Sequence, residues 1–504
     1  MRNIVRIGLI GGTLIFVTGC GSSNVPSVTA TWTAVQNVPN IGAGAIALLT
    51  DGSVLVHDEG INTQAWGNWW RLTPDINGNY ATGTWAQVGT LPSGYGPLHF
   101  AAAVLPDGRY IIEGGEDNLG VRDVKTTMGA IYDPVTDHWT AVNPPLGWQM
   151  IGDSPSVVLA DGTYMQSSCC DRPPRAALLD ASTLTWTPTG ANKFDLYDEE
   201  GLTLLPGGMV LDVDAYVGHV YDPNAKNWEI FDPKTGSWSS QGSTPEQYWD
   251  SATDLTGGQV SHELGPAMLM PNGTVLQTGA NGYAAGHNGI YSLVNKSWTE
   301  APDFPDGLDI ADGPAALERN GNVLLMTSPG IFQRGAVFLE WDGSSFHQVL
   351  GPPRAPDDSS DLGQFLMLPT GQIMFTDRSN DVELLNSAGH NYTGWNPEVR
   401  ISDKVYTRGN TYTLNGLKFN GASQNNAYGD DFQDATNYPL MRLTNVNSGH
   451  VFYAHTHNHS TMAVGYTGPT STLVDIPANM EKGVTNMQVV VNGIASRNYT
   501  VDIQ

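Results

Sequence analysis

Apolar runs that end at a turn glycine recur along most of this chain. Each run is followed at once by a second apolar stretch, as a β-hairpin requires. The seven repeats read AIALLTDGSVLV, AAAVLPDGRYIIEGG, SVVLADGTYM, GLTLLPGGMVL, AMLMPNGTVL, AALERNGNVLL and FLMLPTGQIMF, with turn glycines Gly52, Gly108, Gly162, Gly208, Gly273, Gly321 and Gly371. A period of roughly fifty residues is typical of a β-propeller with one four-stranded blade per repeat.

A polar turn followed by an aromatic residue marks the second half of each repeat. The aromatic positions are Trp85, Trp139, Trp186, Trp238, Trp298 and Phe346. The repeat after Gly371 lacks this aromatic position, and the segment TATWTAV around Trp32 can supply the missing outer strand. The pattern therefore predicts a seven-bladed propeller over residues 28–394, closed by an N-terminal strand so that no sheet edge is exposed.

The repeat stops near residue 395, and short segments of alternating polar and apolar residues follow. Examples are NTYTLNGLKF, HVFYAHTH and MQVVVNGIASRNYTVDI. Such strands over residues 395–504 predict an immunoglobulin-like β-sandwich. The mature chain shows no long helical period, so the fold class is all-β.

The first twenty residues have the pattern of an export signal. Arg2 and Arg6 precede the apolar stretch IGLIGGTLIFV, and VTGC ends at Cys20. VTGC resembles the bacterial lipobox, which implies that Cys20 is lipidated and that residues 21–27 are a flexible tether. The expected location is the bacterial cell envelope, and the outer membrane if the host has one, because Gly21 is similar to the outer-membrane sorting pattern. The alternative is an ordinary secretory signal.

The charge of the chain restricts the kinds of partner that it can bind. The net charge is −27, with 23 basic and 50 acidic residues. Such a surface repels nucleic acid and anionic lipid, so we expect membrane contact through the lipid anchor only. A glycan, a small molecule or a surface protein is the expected partner, and the expected state is a monomer.

Acidic residues recur where the inner strands of the blades begin. Counting nine residues back from each turn glycine gives Ala43, His99, Asp153, Glu199, Leu264, Asp312 and Leu362, and the two leucines are preceded by Glu263 and Asp361. These starts meet at one mouth of the propeller axis. Crowded carboxylates there raise one another's pKa and can bind a cation. The alternative is that each acid caps a neighbouring loop.

Three histidines lie two residues apart in the segment YAHTHNHS. If the segment is a strand, His455, His457 and His459 share one face and can bind a metal or a ligand. If it is a loop, the shared face is lost.

The connections between second and third strands carry residues suited to ligand contact. Trp66, Tyr283 and Arg334 are candidates there, although propeller tryptophans also pack between blades. Cys169 and Cys170 are adjacent and are either a vicinal disulfide or two thiols.

The repeats and the terminal domain together resemble the galactose oxidase and glyoxal oxidase family, a kelch-type propeller with a C-terminal immunoglobulin-like domain. The resemblance implies an axial copper ion held by two tyrosines and two histidines, with one tyrosine cross-linked to a cysteine. Thr456-His457 is similar to the family's Thr-His step, and His99 lies at an inner-strand start, as one of the family's histidines does. Leu98 stands where the family has a tyrosine, and no inner-strand start is tyrosine or cysteine.

Two hypotheses about function follow. The first is an envelope propeller that binds a neutral or cationic ligand at its acidic axial face. The second is a metal-dependent enzyme with a changed metal site, in which His99, His457, Asp153, Glu199 and Asp312 hold one divalent ion. Carboxylates beside imidazole favour calcium, manganese or zinc, and the family resemblance implies copper.

Overall fold

A computed structural model of the chain describes residues 30–60, 66–215, 226–250, 262–281, 284–387, 389–392, 394–431 and 434–504. The predicted signal and tether, including Cys20, and the candidate Tyr283 lie outside these residues. The described part is all-β, with three short 3₁₀ helices at Pro305–Gly307, Ala355–Asp357 and Ser360–Leu362. No helix among the described residues is long and apolar enough to cross a membrane.

Seven antiparallel sheets form the propeller, as predicted. Blades one to three contain, from the inner strand outward, β2 (Ala43–Leu48), β3 (Val54–Asp58), β4 (Trp69–Thr73) and β5 (Thr84–Gln87); β7 (Ala101–Val104), β8 (Tyr110–Glu113), β10 (Gly129–Asp133) and β11 (His138–Val142); and β12 (Ser156–Val158), β13 (Tyr164–Ser168), β14 (Arg175–Asp180) and β15 (Thr185–Thr189). A two-stranded ribbon, β6 (Pro97–Leu98) with β9 (Asp117–Asn118), lies beside blade two.

The remaining blades repeat this order. They contain β16 (Thr203–Leu204), β17 (Val210–Val213), β18 (Asn227–Asp232) and β19 (Ser237–Ser243); β20 (Leu264–Met270), β21 (Thr274–Gly279), β22 (Asn288–Ser292) and β23 (Ser297–Ala301); β24 (Ala315–Leu317), β25 (Val323–Thr327), β26 (Val337–Trp341) and β27 (Phe346–Gln348); and β28 (Gln364–Met367), β29 (Ile373–Thr376), β30 (Glu383–Asn386) and β1 (Thr31–Ala34).

The N-terminal strand closes the ring. β1 pairs antiparallel with β30, with Trp32 opposite Leu385. The Trp32 ring packs edge-on against Phe338 of blade six and Phe375 of blade seven, at centroid distances of 5.6 and 5.9 Å. This confirms the predicted closure, because the outer strand of the last blade comes from the start of the described chain.

The glycine that recurs in every repeat has a conformational cause. All seven turn glycines have a positive φ, between 78° for Gly52 and 98° for Gly321. Only glycine adopts this region without a steric penalty, so the turn between the two inner strands requires it.

The C-terminal residues form one continuous sheet that curls around a core of its own. Its strands are β31 (Glu398–Arg400), β32 (Val405–Tyr406), β33 (Thr411–Leu417), β35 (Leu440–Asn445), β36 (Val451–His457), β37 (Pro469–Asp475), β38 (Gly483–Val491), β39 (Ile494–Ala495) and β40 (Tyr499–Ile503). Alternate residues along the strands of this sheet, such as Leu414, Val474, Met441 and Val489, pack together in one core. This arrangement is consistent with the predicted sandwich.

A segment between β33 and β35 leaves this domain and enters the propeller along its axis. We call residues 423–431 and 434–438 the axial loop. Its short strand β34 (Asn426–Ala427) pairs with β24, the inner strand of blade six. Two other inner strands hydrogen-bond to the axial loop. The backbone N–H of Leu204 donates to Gln424 Oε1 at 2.8 Å, and the backbone N–H of Met367 donates to Asn426 Oδ1 at 3.1 Å. The Tyr438 hydroxyl donates to the carbonyl of Leu48 in blade one. The loop therefore ties blades one, four, six and seven together at the axis.

A fully buried lysine lies inside blade four. Lys193 Nζ contacts Glu200, Asp212, Asp214 and Glu229 at 2.9 to 3.1 Å, and all five side chains are inaccessible to solvent. Burial acts to lower the pKa of Lys193, but the four carboxylates outweigh it and raise that pKa. The ammonium is therefore the counter-charge that lets these acids lie inside the blade.

We predict that Lys193→Met lowers the free energy of unfolding by about 3–5 kcal/mol, because it leaves buried carboxylates without a counter-charge. Lys226→Met is the matched control, since Lys226 pairs with Glu246 at 3.4 Å at a partly exposed position. It should cost less than about 1 kcal/mol. Urea denaturation of both variants checks the difference, and equal losses would contradict the account.

Candidate functional site

The starts of the inner strands and the tip of the axial loop form one acidic mouth at the propeller axis. The structure brings together the predicted residues His99, Asp153, Glu199, Glu263, Asp312 and Asp361, and the loop adds Asp430 and Asp431. Asp431 is 1% exposed, and its Oδ2 lies 3.6 Å from Nδ1 of His99. The mouth therefore has contributions from six blades and from the C-terminal domain.

Close packing between the loop and the ring of strand starts positions the two new aspartates. A Cβ on Gly429 would lie 2.2 Å from Asp312 Oδ1 and 2.9 Å from the Leu264 carbonyl oxygen, so a larger residue there would displace the Asp312 carboxylate. A Cβ on Gly201, beside Glu200, would lie 2.6 Å from the Gly429 carbonyl oxygen. The Tyr428 hydroxyl donates to the carbonyl of Asp361 at 2.6 Å. The loop tip is thus held on both sides by the residues that form the mouth.

Three ring residues have an unusual backbone conformation. His99, Glu199 and Asp312 have φ values of 51°, 59° and 53°, in the left-handed region that L-residues other than Asn and Asp seldom adopt. Such a conformation costs roughly 1–2 kcal/mol relative to an ordinary one, and glycine would avoid that cost. Strained residues of this kind cluster at functional sites, so these three are candidates for one.

Two triads of donor atoms share Asp153. In one, the ligand atoms of His99, Asp153 and Asp431 lie within 4.8 Å of one another, and in the other those of Asp153, Glu199 and Asp430 do. Oxygen ligands on opposite sides of one Ca²⁺ are about 4.6–5.2 Å apart, since each Ca–O distance is about 2.3–2.6 Å. Both triads are therefore compact enough to coordinate a single ion.

Several acidic oxygens at the mouth have no hydrogen-bond partner among the described residues. They are Asp153 Oδ1, Glu263 Oε2 and Asp430 Oδ2, and each is buried. If these acids served only to cap loops, the backbone N–H groups of those loops would bond to these oxygens. The carboxyl group of Asp153 is instead hydrogen-bonded to that of Asp430, and the carboxyl group of Glu263 to that of Glu199. Acids that pair with one another favour the cation hypothesis over the capping hypothesis, because a cation would relieve their repulsion.

Burial and crowding change the proton affinity of the mouth. Burial raises the pKa of Asp153, Glu199, Glu263 and Asp312 well above the ordinary values, and neighbouring carboxylates raise it further. For Asp430, burial and the adjacent Asp431 raise the pKa to about 7. Burial acts to lower the pKa of His99, but its bond to Asp431 outweighs that effect and raises it. Without a cation, these shifts favour the protonated, neutral form of the carboxyls.

Blade one, where Ala43 offers no polar side chain, is completed by an arginine that the strand-start pattern did not predict. Arg378 lies on the connection between β29 and β30 of blade seven and donates its backbone N–H to the Ala43 carbonyl at 2.8 Å. Its Nε lies 3.4 Å from Glu59 Oε2. The guanidinium balances part of the charge of Asp361 and Asp431.

The three histidines do not lie at this mouth. β36 is a strand through His457, as one of the two alternatives predicted, and it lies beyond the opposite ends of the inner strands. A Cβ on Gly108, the turn glycine of blade two, would lie 2.8 Å from Nε2 of His455. His99 lies at the start of that same inner strand, at the end away from this turn. His457 is therefore remote from His99, and the prediction that both residues hold one divalent ion is wrong. His459 follows the strand, and burial together with the neighbouring His457 and His455 lowers its pKa to about 3.

The remaining candidates lie around the mouth or away from solvent. Trp66 is 7% exposed, and its carbonyl accepts a hydrogen bond from His57, so its ring is not an exposed platform. Arg334 is exposed on the connection between β25 and β26. Cys169 and Cys170 form a vicinal disulfide, with Cys170 Sγ 3.1 Å from Asp198 and 3.4 Å from Lys125 Nζ.

Sequence reasoning missed Asp430 and Asp431. The signal for both is the run YGDDFQD, which interrupts the alternating pattern of the terminal domain between two strands. A glycine followed by two acids in such an interruption marks a loop with possible chemistry. Nothing in the sequence showed that this loop enters the propeller.

Comparisons with known proteins agree with this architecture. No family model matches the chain. The Kelch-like protein terF of Aspergillus terreus is 26% identical over 172 residues, which is 31% of this chain and 35% of that protein. The matched segment thus spans about a third of the curated relative.

Solved structures match over nearly the whole chain. A fungal alcohol oxidase of the AA5 family, in complex with copper, has a TM-score of 0.51 at 13% identity, covering 94% of this chain and 98% of its own. The extracellular domain of a protein assigned as a hybrid two component system of B. thetaiotaomicron has a TM-score of 0.46 at 10% identity, covering 95% and 59%. The chain is a kelch-like seven-bladed propeller protein with a C-terminal β domain. Its fold is that of the galactose oxidase family.

The metal site that this fold family implies does not fit the residues at the axis. The described cysteines, Cys169 and Cys170, are bonded to each other, so neither is available for a cross-link to tyrosine. Tyr428 and Tyr438, the two tyrosines of the axial loop, each donate a hydroxyl hydrogen bond to a backbone carbonyl. Carboxylates and one imidazole, His99, surround the mouth in place of two tyrosines and two histidines. The donor set is that of a harder ion than copper.

We predict that the ion-free protein loses thermal stability as the pH rises from about 4 to about 7. The folded state retains protons, on Asp430 among others, that the unfolded chain releases near the ordinary value of 3.8. Because the folded state then binds more protons, the free energy of unfolding falls with increasing pH. Calorimetry in the presence of a chelator measures this trend.

The double variant Asp153→Asn with Asp430→Asn should show a smaller loss over the same interval, since its amides do not titrate. A melting temperature of the unsubstituted protein that rises from acidic to neutral pH would contradict the account.

Proposed function

We propose that this protein is an exported propeller that binds one divalent cation at its acidic mouth, and with it a neutral or cationic ligand. The observation that supports this most strongly is the position of Asp153, which belongs to both donor triads and has an oxygen without a partner. Oxygen donors with a single imidazole favour Ca²⁺ or Mn²⁺.

The charge of the mouth selects among ligands. Acidic walls repel phosphates, nucleic acid and other anions, whereas neutral hydroxyl groups can complete the coordination of a hard cation. His99 and Glu199 are half-buried at the mouth, so an ion there is reachable from solvent. A glycan or another hydroxyl-rich small molecule is the ligand class that fits these properties.

We predict that Ca²⁺ or Mn²⁺ binds with a stoichiometry near one, and that Asp153→Asn with Asp430→Asn weakens binding at least about tenfold, since two anionic ligands are lost. Asp161→Asn is the matched control, because Asp161 lies at the other end of the same blade's inner strands. Its hydrogen bond within the described chain is to its own turn, from the Thr163 N–H at 2.9 Å. Isothermal titration calorimetry measures both variants.

Binding that is unchanged in the double variant would refute the axial site. Equal weakening in the Asp161→Asn control would show a general charge effect and would refute it as well.

A metal-dependent enzyme is the second candidate function. The observation that favours it is the His99–Asp431 pair, which lies beside Asp153. Burial and the neighbouring Asp430 raise the pKa of Asp153. An imidazole that is paired with a carboxylate and lies beside a metal ion can serve as a general base. Turnover of a hydroxyl-bearing substrate by the metal-loaded protein, lost in His99→Gln with metal still bound, would favour the enzyme over the binding protein.

The N-terminal pattern supports export and lipid anchoring as part of this proposal. Arg2, Arg6 and the VTGC step before Gly21 carry the argument. In a bacterial host, Cys20→Ser should move the protein from the membrane fraction to the soluble fraction. Ser22→Ala is the control and should leave it with the membrane. An unsubstituted protein found in the soluble fraction would contradict anchoring.

A further inference from the structure

The C-terminal domain has a second cluster of metal-ligating side chains, remote from the acidic mouth. His455 and His457 lie on the same face of β36, and Asp475 of β37 is the direct register partner of His455. Their ligand atoms lie within 4.8 Å of one another. Two imidazoles two residues apart, with a carboxylate across the ladder, place three donors on one side of a sheet.

The distances suit a small ion. Oδ2 of Asp475 lies 3.2 Å from Nδ1 of His455 and 3.3 Å from Nε2 of His457. Ligands of a tetrahedral zinc ion are about 3.4 Å apart, because each Zn–N or Zn–O distance is about 2.0–2.2 Å. The two observed distances are therefore close to the separation between two ligands of one zinc ion, so the carboxylate oxygen and both nitrogens can hold the same ion.

The hydrogen bonds of the cluster leave a ligand position unused. Thr411 Oγ1 donates to Oδ1 of Asp475 at 2.5 Å, which turns Oδ2 toward the two imidazoles. His455 Nδ1 bonds to that oxygen, while Nε2 of His457 lies 3.3 Å from the same oxygen outside good hydrogen-bonding geometry. One carboxylate oxygen cannot bond well to both rings, whereas a cation would satisfy all three side chains.

Solvent can reach the cluster. The side chains of His455, His457 and Asp475 are 17%, 20% and 41% exposed. An ion can therefore enter, and with three protein ligands at least one coordination position stays open to water or another ligand.

We propose that His455, His457 and Asp475 form a second metal site, for a borderline ion of the Zn²⁺ class, on the face of the propeller opposite the acidic mouth. Imidazole nitrogen selects Zn²⁺, Ni²⁺ or Cu²⁺ over Ca²⁺. The site thus differs from the mouth in location and in metal preference, and it does not depend on the function proposed above.

The test uses Zn²⁺ with the intact chain, by equilibrium dialysis and elemental analysis. His457→Gln should lose one bound equivalent or bind it at least about tenfold more weakly, since a ligand is removed. The double variant of the mouth, Asp153→Asn with Asp430→Asn, should keep that equivalent. His450→Gln is the matched control, because His450 lies next to β36 and pairs with Glu481 at 2.6 Å without a second histidine. Zinc binding by His457→Gln equal to that of the unsubstituted chain would overturn the proposal.

Electron paramagnetic resonance of bound Cu²⁺ is a second test, and it does not depend on whether a histidine variant folds. In the double variant of the mouth, bound Cu²⁺ should show hyperfine coupling to two imidazole nitrogens. Coupling to one nitrogen or none would overturn the proposal. If Ca²⁺ does not bind at the mouth while Cu²⁺ in the histidine cluster couples to two imidazole nitrogens, the proposed function is refuted and the second metal site stands.

Discussion

The structure around the acidic mouth depends on one steric constraint, the entry of the axial loop into the propeller. Inner strands of four blades hydrogen-bond to this loop, and Gly429 packs so closely against Asp312 that a larger residue would displace the Asp312 carboxylate. The terminal domain therefore fills the axis that the ring of strands would otherwise enclose. Because the loop tip carries Asp430 and Asp431, the same contact that holds the two domains together also completes the acidic mouth.

This arrangement concentrates negative charge where water is scarce. Burial is the largest cause of the raised pKa at Asp153, Glu199, Glu263 and Asp312, and each of them is also affected by acidic neighbours. The interior of blade four shows how the chain handles such charge elsewhere, since Lys193 contacts four acids there. At the mouth, Arg378 is shared with buried Glu59, and the acids greatly outnumber it. A divalent cation would have the compensating role there that Lys193 has in blade four.

Local patterns were enough to predict the blades but not the complete site. The turn glycines, the aromatic positions and Trp32 fix the hairpins and the closure through short-range sterics and packing, so seven blades and six of the mouth residues were predictable. Asp430 and Asp431 reach the mouth through tertiary contacts of a loop that has no periodic signal. His457 is a converse case, because a two-residue motif resembled that of a known family while its strand lies beyond the opposite ends of the inner strands. Motif similarity alone does not determine which end of an axis a residue occupies.

The central claim is that the acidic mouth holds one divalent cation between Asp153, Glu199, His99 and the axial loop. The most direct measurement is anomalous diffraction from crystals grown with Mn²⁺. The account predicts one anomalous peak on the propeller axis within coordination distance of Asp153 and at least one of Asp430 and Asp431. A mouth without a peak at saturating Mn²⁺, with the carboxyls bonded to one another, would contradict it.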